Sequence, residues 1–360
     1  MKNIVIVGGG YSGLASAYYL KNLPDTKITI LEGSDKIGGL AFAFRQKEWK
    51  WSIEKYIHHW FSNDTHILDI AKEMGISSKL VLKDTKSSIF YDGKIAEMDS
   101  PVSLLKFPFL SVYDRIRMGA SMAMIKMDRN FIEKESETAF NYIKRTMGED
   151  AFKVVWEPLF YGKFGKYAPT INAAWFCGRI QARTKKLMYV EGGFEDFTMA
   201  IADSVKKSGH EILLSSPVKK ILKKDDKFEV SYENKKIIAD YVVLALPLPI
   251  SLKLFDFDKE FMERHSGLVS IGSQYFVLEM NKPFLEDGTY WLNVNDKESP
   301  FMMLAEHTNF VDKSNYGGKS MVWIGKYLDY DNPLWKLSEK ELLEKVVAYM
   351  KKIKPSFDEK

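Results

Sequence analysis

The chain opens on an uninterrupted β-branched run, Ile4-Val5-Ile6-Val7. Such a run predicts a strand buried on both faces, as in a parallel sheet. The pattern then turns helical, with Leu14, Ala17, Tyr18 and Leu20 at helix spacing, and stops near Pro24. A second strand, Ile28-Thr29-Ile30-Leu31, ends on Glu32. Much later, Asp240-Tyr241-Val242-Val243-Leu244-Ala245-Leu246-Pro247 reads as another buried strand ended by proline. Gln274 to Met280 and Met321 to Tyr327 alternate well enough to be strands of a second sheet. Pro101 to Met127 clusters Leu104-Leu105, Phe107, Phe109-Leu110 and several methionines, and reads as helical. Leu334 to Ile353 is an amphipathic helix with a capping box, Ser338-x-x-Glu341.

Composition narrows the class. With 360 residues, 46% hydrophobic and 28% charged, the chain can fill two ordinary domains. No stretch approaches the ~20 apolar residues a membrane span requires; the longest candidate, Tyr241 to Ile250, contains two prolines. Met1-Lys2-Asn3 leads into a strand by Ile4, with no hydrophobic signal core, and the one cysteine, Cys177, fits a reducing compartment. Cys177 reads as a buried apolar residue. The expected location is cytoplasmic. Net charge is +4 with lysines and acids mixed along the chain, and no basic stripe points to nucleic acid.

The chemistry concentrates after the first strand. Gly8, Gly10 and Gly13 satisfy G-x-G-x-x-G. In that pattern the first glycine allows the tight turn, the second lets backbone approach a pyrophosphate, and the third lets helix and strand pack closely. The backbone from Gly10 through Tyr11, Ser12 and Gly13 opens the helix, whose N-terminus favours an anion. Glu32, about twenty residues on, is placed to accept from ribose hydroxyls and would repel a 2′-phosphate. No second G-x-G-x-x-G exists, which argues against a reductase with two dinucleotide folds.

Beyond Glu32 the chain reads Gly33-Ser34-Asp35-Lys36-Ile37-Gly38-Gly39-Leu40. E-x-x-x-x-x-G-G after the second strand resembles the amine oxidase and protoporphyrinogen oxidase superfamily of FAD enzymes. The resemblance implies FAD, with Gly38, Gly39 and Leu40 near the pyrophosphate and ribityl chain. Val190-Glu191-Gly192-Gly193-Phe194 resembles the family's G-G-x-x-x-L element, and Leu213 to Ile221 the strand on which the Val218 backbone reads adenine. Asp240 to Pro247 resembles the strand returning to the cofactor domain. Trp156-Glu157-Pro158-Leu159-Phe160-Tyr161-Gly162-Lys163-Phe164-Gly165 resembles the W-x-P-x-x-x-G-x-F-G element of the protoporphyrinogen oxidase-like group, either a pocket wall or a helix end packed on the core. Family members usually end in a further segment whose helix faces the flavin; none follows Ile353, so a missing terminal strand and helix of the FAD domain is expected.

Catalytic candidates come from two places. Glu54-Lys55-Tyr56-Ile57-His58-His59 resembles the K-Y-x-x-H-x-F segment of UDP-galactopyranose mutase, through Lys55, Tyr56 and His59. His59 would donate to the flavin or act as a base, or else be a structural histidine. Adjacent histidines on a strand face opposite sides, which leaves His58 structural. No zinc partner stands at ligand spacing, and no metal is expected. Amine oxidases usually carry a lysine on the strand before a P-F pair; here, before Pro283-Phe284, the place holds Gln274 or Tyr275. Tyr275 is the second candidate, and the missing lysine weighs against amine oxidation.

The expected fold class is therefore α/β, a Rossmann-like FAD-binding domain with an inserted α+β substrate domain made of a mixed sheet and a helical subdomain. The division is 1–84 and 186–250 for the FAD part, 85–185 for the helical insertion, 251–335 for the substrate sheet and 336–360 for the last helix. The expected activity is hydride removal from an apolar or sugar-linked small molecule, with oxygen or another acceptor reoxidising the flavin. A flavin-dependent mutase or isomerase on a nucleotide sugar or lipid is the enzyme alternative. Rab GDP-dissociation inhibitors, which share the fold, give a non-catalytic one. Residues 101–127, with Lys106, Arg115, Arg117 and Lys126 interleaved, form a helical core with ordinary surface charges or a peripheral membrane contact. Oligomeric state is left open.

Overall fold

A computed structural model describes residues 1–358, which divide into two compact units. The first unit comprises residues 1–58 and 190–270, the second, among the described residues, 59–189 and 271–358.

In the first unit, four parallel strands run in the order Glu211–Leu213, Thr26–Leu31, Lys2–Val7, Tyr241–Leu244. Val5 sits between Thr29 and Val242. Inside–outside alternation is absent from this strand because both faces are covered: Val5, Ile6 and Val7 are all buried. The helix Tyr11–Leu20 packs against a second helix, Phe194–Lys207, through the Tyr11 ring on Phe194 and Phe197. A meander of three antiparallel strands, Val218–Lys224, Lys227–Tyr232 and Lys235–Ala239, covers the other side. Its Ile221, Val230 and Tyr232 share a core with Val5, Val7 and Leu31. The stretch Leu213 to Ile221 is thus not one strand. It breaks at Ser215, where φ is +49°, and at Pro217, so its halves join different sheets.

The second unit is built on a mixed six-stranded sheet, in the order Gly272–Met280, Ser320–Leu328, Met303–Glu306, Thr289–Val294, Lys86–Tyr91, Lys94–Glu97. All neighbours are antiparallel except Thr289–Val294 with Lys86–Tyr91. The segment 85–185 therefore starts as a hairpin before it becomes helical. The short strands Trp60–Phe61 and Leu80–Asp84 flank Lys186–Val190 in a three-stranded sheet, which ties residues 59–84 to this unit and moves the first boundary back from 84 to 58. The helices Val112–Met127, Ala139–Met147, Glu157–Phe164 and Ala173–Ala182 enclose a core that includes Phe107, Met118, Phe152, Phe176 and Cys177. Within 101–127, Leu104, Leu110, Met118 and Ile125 face this core while Val102, Leu105, Val112, Tyr113 and Ile116 are exposed. No helix among the described residues is long and apolar enough to cross a membrane.

The helix Glu339–Ile353 lays Val346, Tyr349, Met350 and Ile353 on Leu292, Leu304, Val322 and Ile324 of the sheet. Its start is fixed as the sequence suggests: Ser338 Oγ accepts from Glu341 N, and the Glu341 carboxylate accepts from Ser338 N at 2.8 Å. Ser338→Ala should destabilise the second unit by about 1 kcal/mol, read from its chemical denaturation midpoint. A shift within error would mean that packing alone sets this helix.

Candidate functional site

Two constellations carry chemistry, one in each unit. In the first unit the glycine motifs meet. Gly38 N donates to Gly9 O at 3.0 Å, and Gly10 and Gly38 form a parallel backbone bridge. A Cβ on Gly39 would lie 3.0 Å from the Gly10 Cα, and one on Gly13 would lie 1.9 Å from Gly8 O. Gly8, at φ +108°, would put a Cβ 2.6 Å from Ala245 O, at the end of the strand Tyr241–Leu244. These glycines are required by the protein's own packing.

Gly10 is different. Its φ of −77° suits any residue, and a Cβ there would find nothing nearer than 3.5 Å. The fold itself has room for alanine at this position. It caps a helix that has neither a side-chain cap nor an acid in its first turn, so the amides of Tyr11, Ser12 and Gly13 are left to a ligand. The residues present therefore fit a dinucleotide pyrophosphate, whose close approach would be the reason for a bare backbone.

Glu32 stands beside this loop. One carboxylate oxygen accepts from Gly9 N at 2.6 Å, the other from Ser34 N at 2.9 Å and Ser34 Oγ at 2.8 Å. Three bonds fix its orientation and leave lone pairs for hydroxyl donors. Ser216 N donates to Glu32 O and Ser215 N to Ser34 O, which brings Val218 alongside. Leu40 is 73% exposed in a short turn after the doublet. Tyr11 contributes backbone to the loop, but its ring is spent on the second helix, its hydroxyl accepting from Thr198 Oγ1 at 3.3 Å. Burial pushes the Tyr11 phenol well up. Gly192 and Gly193, at φ +85° and +88°, hug Asp196 and Ser52 and so serve packing.

The histidine pair is not on a strand; the strand begins at Trp60, and the chain passes between the units after His58. The expectation of opposite strand faces is therefore corrected. His58 Nδ1 donates to Tyr56 O at 2.7 Å, and burial lowers its pKa. His59 belongs to the second unit, with Nδ1 3.2 Å from Tyr290 Oη and its ring edge-on to Phe61, Tyr290 and Trp291.

From His59 a continuous ledge runs across the second unit. The Arg179 guanidinium lies 5.8 Å from the Phe61 ring centre. Arg179 and Arg183 both act electrostatically on Lys163, whose ammonium lies 4.8 Å from the Tyr327 ring, 5.9 Å from Trp175 and 6.0 Å from Phe164. Tyr327 is hydrogen-bonded to Tyr275, whose ring lies over Gly325; a Cβ there would be 2.2 Å from that ring. Both sequence candidates, His59 and Tyr275, thus border the same row of rings and cations. Burial raises the Tyr275 pKa, so it stays a neutral phenol and a proton donor. Burial, then repulsion from Arg179 and Arg183, brings Lys163 down to about 8.

Local sequence explains how Lys163 gets there. Pro158 has no N–H for the Val154 carbonyl, and the preceding turn, Phe152–Trp156, widens to a π-helix. The buried Asn295 amide donates to Val154 O and Val155 O at 2.9 and 3.1 Å. Gly162 lets the helix approach Met302, where a Cβ would be 3.0 Å away, and Gly165, at φ +52°, ends it. Sequence reasoning saw this element as a wall or a helix end and passed over Lys163, Arg179, Arg183 and Tyr327. A signal was available: from Pro158 to Val190 there are Lys163, Lys166, Arg179, Arg183, Lys185 and Lys186 and no acid.

Comparison with known proteins identifies the family. The family of flavin-containing amine oxidoreductases matches residues 11–360, and the chain belongs to that family. Its members carry a flavin. The chain is similar to coproporphyrinogen III oxidase of Staphylococcus aureus, 21% identical over 299 residues, covering 72% of this chain and 64% of that protein. It therefore spans less than two thirds of that relative's length. A solved structure described as a candidate protoporphyrinogen oxidase from Exiguobacterium sp. 255-15 shares the fold, at TM-score 0.77 and 18% identity over 98% of this chain and 83% of that one. Reduced UDP-galactopyranose mutase does too, at TM-score 0.73 and 16% identity over 96% and 77%.

The glycines separate under substitution. Gly13→Ala should lower the melting temperature by several degrees, because its methyl collides with backbone. Gly10→Ala should melt like the parent when cofactor-free, yet purify with less than a tenth of the parent's flavin. Equal flavin content in the Gly10 variant would remove the loop from the cofactor site.

Proposed function

We propose that the protein is an FAD-dependent oxidoreductase that takes a hydride from an organic substrate. The observation that carries this reading is Gly10, a glycine that the protein's own packing does not require, at the uncapped start of a helix. FAD, when bound, supplies the hydride acceptor, and the protein supplies binding, orientation and electrostatics. The amides of Tyr11, Ser12 and Gly13 would hold the pyrophosphate, Glu32 the ribose hydroxyls and the Val218 backbone the adenine. Gly38, Gly39 and Leu40 would flank the chain leading to the ring.

On the substrate side, His59, with Nδ1 3.2 Å from Tyr290 Oη, would give or take a proton. Tyr275, a neutral phenol, would donate a hydrogen bond to a developing negative charge. The strand Gly272–Met280 offers no lysine for amine chemistry, and three cations on the ledge would repel a protonated amine.

A second reading, a mutase working with reduced flavin, is favoured by the Lys55-Tyr56-x-x-His59 match and by those same cations. It predicts turnover only after dithionite reduction and no consumption of an electron acceptor.

Purified protein should show the two visible flavin bands and release FAD, not FMN, on denaturation. A protein that stays colourless with excess FAD would overturn the reading. His59→Ala should keep its flavin, while anaerobic bleaching by an active reductant, sought among porphyrinogens, amines and nucleotide sugars, slows by about 10²-fold. An unchanged rate would make His59 structural.

A further inference from the structure

We infer that Lys163, Arg179 and Arg183 form the binding site for an anionic group of the substrate, a phosphate or a carboxylate. That the ligand is the substrate rests on the oxidoreductase reading; that the site exists does not.

Some cations elsewhere in the chain pair with acids. Arg45 meets Asp196 at 2.7 Å, Arg145 meets Glu137 at 2.7 Å and Lys86 meets Asp287 at 2.8 Å. Lys163, Arg179 and Arg183 have no carboxylate partner among the described residues, although the chain has 48 acids for 52 Lys and Arg. What holds two of them is aromatic. Arg179 lies against Phe61, and Lys163 lies among Phe164, Trp175 and Tyr327. Ring faces steady a cation without neutralising it, so the positive charge stays available.

The arginines are also prepared for a ligand. They are four residues apart, at the end of the helix Ala173–Ala182 and on its C-cap, and so project from neighbouring positions. Lys126 Nζ donates to Gln181 O at 3.0 Å and Arg183 O at 2.6 Å, which ties down the backbone at this helix end. Both arginines are exposed, whereas Lys163, which comes from a different helix, is half-buried. Desolvation, then the charge of Arg179, lowers the Arg183 pKa. Two guanidinium forks and an ammonium match an oxyanion with several acceptor oxygens.

Packing does not explain the cluster, since like charges gathered without acids oppose folding. The position does explain it, because the ledge joins the cluster to Tyr275 through Tyr327 and to His59 through Phe61. A substrate anchored here by its charge would present its uncharged part to those two groups.

The test is calorimetric titration of the FAD-saturated full chain with inorganic pyrophosphate and, separately, with glutarate. Tight binding of the first alone assigns a phosphate-bearing substrate; tight binding of the second alone assigns a carboxylate. Arg179→Gln and Arg183→Gln should each weaken the preferred probe at least tenfold, and Lys163→Met likewise. Flavin content and spectrum should be unchanged and melting temperatures equal or higher. Absence of saturable binding by either probe, or equal binding to parent and variants, would overturn the inference while flavin content remains to support the oxidoreductase. A chain that takes up no FAD but binds a probe in an Arg179- and Arg183-dependent way would keep the anion site and sink the oxidoreductase.

Discussion

The first unit depends on one contact, backbone laid on backbone where the Gly8–Gly13 loop meets Gly38–Gly39. The Gly10–Gly38 bridge leaves no space for a side chain at Gly39, and the contact of Gly13 with Gly8 O sets how close the first helix comes to the strand beneath it. Because the loop is pinned on both sides, its amides keep their direction without a side-chain cap. Glu32 adds a third restraint through Gly9 N. A ligand arriving there meets donors already aligned, so the ordering cost is met by folding and not by binding. Gly10 alone is surplus to this packing, and for that reason it carries the most information about the ligand.

The second unit positions its polar groups by a different device. A proline that cannot donate, an amide that fills the gap and two glycines at the helix's close approach and end bring Lys163 among three aromatic rings. Removing the Asn295 bonds would take a buried donor from the Val154 and Val155 carbonyls, which a helix tolerates poorly. The wide turn is thus stabilised by the strand region it packs on, and the position of Lys163 follows from the sheet as much as from its own helix.

The parts of this protein that could be read from sequence are those in which neighbouring residues act together. Strand, glycines, helix and acid fall within thirty-two residues, and their meaning survives without knowing the rest of the fold. The capping box at Ser338 and the paired strands through Gln274 and Met321 were legible for the same reason. Long-range features were not. The ledge takes His59 and Phe61 from one segment, Lys163 from a second, Arg179 and Arg183 from a third, and Tyr275 and Tyr327 from two paired strands. Periodicity cannot bring these together, because a hydrophobic pattern reports which face is buried and not what lies opposite. The strand through Pro217 failed for a smaller reason: it comes whole from the family resemblance, while Ser215 turns the chain in a conformation the resemblance does not encode.

The acid-free run from Pro158 to Val190 shows what kind of sequence signal can reach across that gap. A fold gains by interspersing acids among its cations, so a long run without them is a cost the protein keeps. Where such cations fan out into water the cost is small and carries no message. Here Lys163 and Arg179, from two helices, lie against rings that hold them still, and Lys163 is brought down to about 8 by burial and by its neighbours. An anion seated among them would relieve both the repulsion and the burial of charge. The energy opposing the empty arrangement is then the same energy that favours the filled one, and a site held by aromatic faces can keep that energy in reserve where one neutralised by carboxylates could not.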